Sequence, residues 1–308
     1  MIIMLLWACT TTTTPDATPE MPALQKVRLA LNWYPEPEFG GFYEAQLSGL
    51  YKEAGLDVEI IPGGPGAPSL ELLASGRAEA AITAADDLLI KRSRGIEAVG
   101  VFSVFQDAPM GVMVHKSSGI ESFEDIKDGQ IAIEIGSSFQ SFLWARYSWG
   151  DAVRPIPYGG GVGAFMNDEA YRQQAYITSE PCVARGQGAE VTFLKAVDAG
   201  WNPYSVLLAV TDPPPPWTEA LVEATRAGWE AYMASPAQAN AAIAKLNDQL
   251  EPSLLSCITD AQRPFVTGSA GVTMGSMTAA RWNATAAELV ELELLPAGSA
   301  ATGAWRGK

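Results

Sequence analysis

From Val27 onward, short apolar runs of strand length alternate with stretches of helical period, and no other feature limits the fold as much. Residues 27–31 alternate as a strand. Residues 41–54 place Tyr43, Leu47, Leu50 and Ala54 on one helical stripe that stops at Gly55. Residues 58–61 read as the next strand, and the Gly/Pro-rich segment 63–69 leads into a short helix ended by Gly76. Strands at 80–84 and 98–105 flank a helix at 86–94. This order predicts an α/β fold whose mostly parallel sheets are covered on both faces.

A second series follows. Residues 110–114 are an apolar strand before a polar turn at 116–119, and they predict a crossing between two lobes. Beyond them come strands at 131–135, 155–158, 175–178 and 191–197, with helices at about 138–149 and just after Gly163. Residues 205–210 predict the return crossing. After the proline run 213–216 the chain turns helical over 217–234, again from Ser235 as cap with Pro236 behind it, and over about 276–294. The chain therefore divides into a first lobe (24–113), a second lobe (114–204) and a completion of the first by C-terminal helices (205–308). Two sheets joined by two crossing strands enclose a cleft. Ligands of such sheets bind beyond the carboxyl ends of the strands, and paired crossings permit hinge closure.

Composition narrows what that cleft does. The 308 residues carry 20 Lys and Arg against 35 Asp and Glu, a net charge of −15 that disfavours a nucleic-acid partner. One histidine, His115, and three cysteines are too few and too scattered for a zinc site. HExxH, Walker A and GxSxG sequences are absent, so neither metal nor cofactor is expected. The 9 Trp, 9 Tyr and 10 Phe suit a binder better than an enzyme.

The N-terminus points to a compartment. Residues 1–8 are apolar and uncharged and read as the last part of a signal-peptide apolar region; a bilayer span needs about 20 residues. Leu6-Trp7-Ala8-Cys9 resembles a bacterial lipobox, with Cys9 as the lipidated residue, and the Thr/Pro-rich stretch 9–23 reads as a tether. This predicts an extracytoplasmic, lipid-anchored monomer. Cys182 and Cys257 then remain as an even pair; a disulfide and two buried free thiols both stay open.

Two segments are distinctive: 31–46, Leu-Asn-Trp-Tyr-Pro-Glu-Pro-Glu-Phe-Gly-Gly-Phe-Tyr-Glu-Ala-Gln, and 49–58, Gly-Leu-Tyr-Lys-Glu-Ala-Gly-Leu-Asp-Val. With the looser segments 73–78, 87–92, 118–125, 176–181 and 202–206, they resemble the NMT1/THI5-like family over roughly residues 24–295. The resemblance implies a type II periplasmic-binding-protein fold. It also implies capture of a small aromatic heterocycle for the transmembrane subunits of an ABC permease. A thiamine-pyrimidine precursor leads, and riboflavin or another flavin-like ring follows. Family members with the pyrimidine ligand often carry Asn and His between Pro35 and Gly41, where this chain has Glu36, Glu38 and Phe39. That departure favours an aromatic, amine-bearing or larger ring system over a copy of the usual pyrimidine. Eukaryotic relatives that synthesise the pyrimidine use a Cys-rich motif and a histidine; this chain has no Cys cluster, which disfavours the enzyme reading.

The candidate ligand-binding residues stand at predicted strand ends. Trp33 and Tyr34 follow the first strand with side chains on opposite sides, so one of them should face the pocket and stack on a flat ring. Asp86 and Asp87 open a helix, one placed to cap it and the other to face the cleft. Ser137 and Ser138 lead into a helix whose first backbone N–H groups can meet an anion or carbonyl. Tyr158 begins a glycine-rich loop beside the cleft, and Tyr204, beside the return crossing, either contacts ligand or packs at the hinge. His115 reads as solvated. The resemblance adds Glu180, whose family counterpart faces the ligand; a carboxylate there accepts hydrogen bonds from ring amino groups.

Overall fold

The computed structural model describes residues 23–248, 250–267 and 272–307. The apolar run 1–8, Cys9 and all but the last residue of the expected tether lie outside the described residues. The first lobe begins with β1 (Gln25–Ala30), a 3₁₀ turn at Pro37–Phe39, α1 (Gly40–Leu47), α2 (Leu50–Glu53) and β2 (Leu56–Ile61). It continues through α3 (Ser69–Ala74), β3 (Ala80–Thr83), α4 (Ala85–Ser93) and β4 (Ala98–Phe105). Where the apolar stripe predicts one helix over 41–54, the chain forms two, because Gly49 turns between them at a φ of 82°, open chiefly to glycine.

The second lobe holds β5 (Met110–His115), β6 (Gly129–Ile133), α5 (Ser138–Tyr147), β7 (Val153–Pro157), α6 (Gly163–Asn167) and β8 (Gln173–Tyr176). It ends with α7 (Glu180–Gly186), β9 (Val191–Lys195) and α8 (Ala196–Ala199). The chain returns in β10 (Ser205–Thr211) and finishes with α9 (Thr218–Ala234), α10 (Ala237–Leu246), α11 (Leu255–Thr267) and α12 (Ala279–Glu291). Ser235 closes α9 rather than capping α10, whose N-cap is Pro236.

Two five-stranded sheets result, ordered β2-β1-β3-β10-β4 and β7-β6-β8-β5-β9. In the first, β1 runs parallel to β2 and β3, while β10 runs antiparallel to β3 and β4. In the second, β6 runs parallel to β7 and β8, while β5 runs antiparallel to β8 and β9. Each sheet thus has one strand reversed among four of a common direction, and the reversed strand is the one that follows a crossing. This corrects the expected boundary at 113/114. β5 pairs with β8 and β9 and β10 with β3 and β4, so both expected crossings are interior strands of their sheets. Buried strands of this kind need ladder partners on both sides. The chain crosses instead at 106–109 and 200–204.

Those two connections are tied together. Asn202 Nδ2 donates to Asp107 Oδ1 at 2.8 Å, and Ala108 N donates to Asn202 Oδ1 at 2.8 Å. Arg281 of α12 donates to the carbonyls of Asn202 (2.6 Å), Pro203 (2.9 Å) and Gln106. A further covalent link joins the lobes. Cys182 of α7 and Cys257 of α11 form a disulfide with a Cα–Cα distance of 6.0 Å. Of the alternatives open for the two thiols, the structure selects the bond. Packing also fixes the entry to the site: Gly40 and Gly41 let α1 lie against Tyr232 and Trp229, whose rings would come within 2.2 Å of a Cβ at either position.

Candidate functional site

The turn between β1 and α1 supplies one wall of the interlobe cleft, and C-terminal helices hold it there. Gln262 Nε2 of α11 donates to the Pro37 carbonyl at 3.0 Å, and Asn247 Nδ2 donates to that of Pro35 at 3.1 Å. This places Trp33, Glu36 and Glu38 on a cavity of about 470 Å³, a size suited to a small organic ligand. Tyr34 does not line it. Its ring turns away over Gly64 and meets Trp33 edge-on, with centroids 5.5 Å apart.

The second lobe supplies the opposite wall. Glu180 opens α7, where Tyr158 donates its hydroxyl to Oε1 and Tyr176 its backbone N–H to Oε2 at 2.8 Å. Two hydrogen bonds cross the cleft: Ser179 Oγ donates to Glu36 Oε2 at 2.9 Å, and Ser138 Oγ to Asp86 Oδ2 at 2.5 Å. Ser137 caps α5 by accepting from Gln140 N at 3.2 Å. Asp86 and Asp87 both line the cavity. Neither caps α4, whose N-cap is Ala84 without a side-chain bond; Asp87 Oδ2 instead accepts from Thr83 Oγ1 at 3.1 Å.

Burial shapes the charges of these groups. It pushes the Glu36 carboxyl up to about 7, helped by the nearby Glu180, while Ser179 and Trp33 oppose the shift. Burial likewise carries Glu38 well above the ordinary carboxylate range, with Glu36 and Glu180 adding repulsion. Asp86 rises to about 6 through burial, with Ser138 opposing, and Glu180 rises by burial against the hydrogen bond from Tyr158. Asp87 is also raised by burial, but Lys91 pulls it back.

Two expected placements fail. Tyr204 is buried away from the cavity; its hydroxyl accepts from Thr278 N at 2.9 Å, and the Arg281 guanidinium lies 3.9 Å over its ring. It therefore packs at the crossing. His115 is not solvated: its ring stacks on Phe165 at 3.8 Å and Nε2 meets the Phe165 carbonyl at 2.8 Å. The cavity also holds residues outside the sequence-derived set, among them Asn32, Glu134, Tyr176 and Ser205. Asn32 Oδ1 and Ser205 Oγ are buried without a hydrogen-bond partner among the described residues. Ser205 precedes Val206, a β-branched residue held at a φ of 47°, a local strain that marks the start of β10 alongside the family-resembling segment 202–206. Among the described residues, no group of His, Cys, Asp and Glu is arranged to hold a metal ion.

Two α/β lobes of this topology, joined at two crossings around a lined cleft, define the periplasmic-binding-protein fold. The structure is similar to the alkanesulfonate-binding protein SsuA from Xanthomonas axonopodis pv. citri bound to MOPS (TM-score 0.68, 14% identity, covering 93% of this chain and 99% of that one). The family model described as NMT1/THI5 like matches residues 36–239, and the chain belongs to that family. It is 28% identical over 266 residues to the riboflavin-binding protein RibY of Chloroflexus aurantiacus, covering 78% of this chain and 74% of RibY. It is 27% identical over 242 residues to the formylaminopyrimidine-binding protein of Halalkalibacterium halodurans, covering 76% of this chain and 71% of the relative.

Proposed function

We propose that this protein is the extracytoplasmic solute-binding component of an ABC importer and captures a small, amine-bearing aromatic heterocycle in the interlobe cleft. A thiamine-pyrimidine precursor is the leading ligand. The observation that carries this reading is Glu180: a buried carboxylate oriented by Tyr158 and the Tyr176 backbone, on the cavity that Trp33 also lines. Such a carboxylate accepts from exocyclic amino groups, while an aromatic wall favours a flat ring. Riboflavin is the second reading, favoured by the relative named for that ligand, which matches 78% of this chain. Both readings are of a binder, in keeping with the names of these relatives. The closed lobes present the faces that the permease would engage, and the Cys9 lipid anchor would keep a monomer near it.

The chemistry disfavours a sulfonate. The basic residues on the cavity are Lys91 and Arg94 on its exposed side, and Lys91 is already paired with Glu71. Calorimetric titration of residues 23–308 with 4-amino-5-hydroxymethyl-2-methylpyrimidine, riboflavin and an alkanesulfonate tests the reading. Saturable binding of the pyrimidine or riboflavin is expected. Binding of the sulfonate alone overturns it.

A further inference from the structure

The two ends of the cavity differ in how their carboxylates are neutralised. On the exposed side, Glu71 pairs with Lys91, and Lys91 and Arg94 both act on Asp87. At the buried end, Glu36, Glu38 and Glu180 all line the cavity and repel one another, and no Lys, Arg or His among the described residues lines that end. Two of these three carboxylates have donors: Ser179 for Glu36, and Tyr158 with the Tyr176 backbone for Glu180. Glu38 has none. It is only 7% exposed, lines the cavity, and makes no hydrogen bond or ion pair with any described residue. A second group independently lacks a partner among the described residues: Ser205 Oγ, on a residue 4% exposed, which also lines the cavity. Buried polar groups without partners are costly, and a buried charge without one more so, unless a ligand completes them.

We propose that the buried end of the cleft is a subsite for a positively charged nitrogen group of the ligand, with Glu38 as its ion-pair partner. This deepens the heterocycle reading above and rests on it. The subsite distinguishes ligands of one shape by charge. A protonated amine placed between Glu36, Glu38 and Glu180 satisfies the unpartnered carboxylate and offsets the mutual repulsion of all three. A neutral hydroxyl of the same size leaves that repulsion in place, and the carboxylates must then keep protons to avoid it. Specificity of this kind arises from what is left unpaired when the wrong ligand binds.

Two probes that differ only at one group test it: the 5-aminomethyl and 5-hydroxymethyl derivatives of 4-amino-2-methylpyrimidine, titrated calorimetrically at pH 7.5 alongside riboflavin. The charged aminomethyl probe is expected to bind at least tenfold more tightly than the hydroxymethyl probe. Glu38→Gln is expected to weaken the aminomethyl probe by at least tenfold and to narrow the ratio between the two. Equal affinities in the unaltered protein overturn the charge assignment while leaving the heterocycle reading intact, and so does a ratio that survives Glu38→Gln. Binding of neither pyrimidine nor riboflavin overturns both. The comparison within the unaltered protein needs no variant, so a folding defect in Glu38→Gln does not spare the proposal.

Discussion

The two ends of the cleft are built from the same residue types and behave differently. The exposed side mixes acids with bases, and Glu71, Asp87, Lys91 and Arg94 neutralise one another in contact with water. The buried end has acids only, and burial rather than any partner sets their charge. The ends also differ in how the lobes are held. Near the buried end, the Cys182–Cys257 disulfide starts two residues beyond Glu180 and staples α7 to α11. At Asp86 the described residues join the lobes by a hydroxyl bond from Ser138 and no covalent link. The unpartnered Glu38 thus sits where the walls are covalently pinned, which suits a rigid recognition subsite. A balanced, unstapled side suits entry and exit.

The largest effect should come from removing the staple. The disulfide closes a loop of 75 residues, and the double substitution Cys182→Ser with Cys257→Ser should lower the unfolding free energy by about 2–4 kcal/mol in denaturant titration. Retention of full stability would mean that the buried end is pinned by packing alone. Next, Glu180→Gln should weaken pyrimidine binding by about 2–3 kcal/mol in calorimetry, because it removes a charged acceptor held by two donors. Trp33→Ala should cost about 1–2 kcal/mol of affinity through lost stacking and apolar contact. The smallest change belongs to the other side. Lys91→Gln removes a partly exposed ion pair and should shift stability by about 0.5 kcal/mol or less in the same denaturant titration. A Lys91→Gln loss of pyrimidine affinity as large as that of Glu180→Gln would erase the distinction between the ends.

Much of this arrangement is written in local sequence. Strand and helix periods place β1, β3 and β8 and the turns that follow them, so Trp33, Asp86 and Glu180 could be assigned to strand ends and do meet at one cavity. Other residues are legible only in three dimensions. Tyr176 and Ser205 lie in segments that carry the family resemblance, but as strand residues they do not stand out, and their place on the cavity depends on sheet order, which period does not encode. Glu36 and Glu38 lie in a turn held by Gln262 and Asn247, more than 200 residues away. Their departure from the family pattern is visible in the sequence, but their burial is not. Tyr204 shows the opposite case. An aromatic beside a crossing looks like a cleft residue until Arg281, 77 positions on, is found stacked against it.

The central claim is that the buried end lacks positive charge until a ligand brings it. A carboxyl whose pKa is raised on folding holds its proton longer in the folded than in the unfolded chain. Its contribution to stability is therefore full below about 4.5 and declines as pH rises toward 7, the value for Glu36. The most direct measurement is a carbon-13 NMR titration of the Glu36 and Glu38 carboxyl groups in the ligand-free protein from pH 4 to 9. The account predicts a midpoint near 7 for Glu36 and a Glu38 midpoint well above the ordinary carboxylate range, both falling when the aminomethyl pyrimidine is bound. Midpoints near 4.5 for both groups in the empty cleft would contradict it.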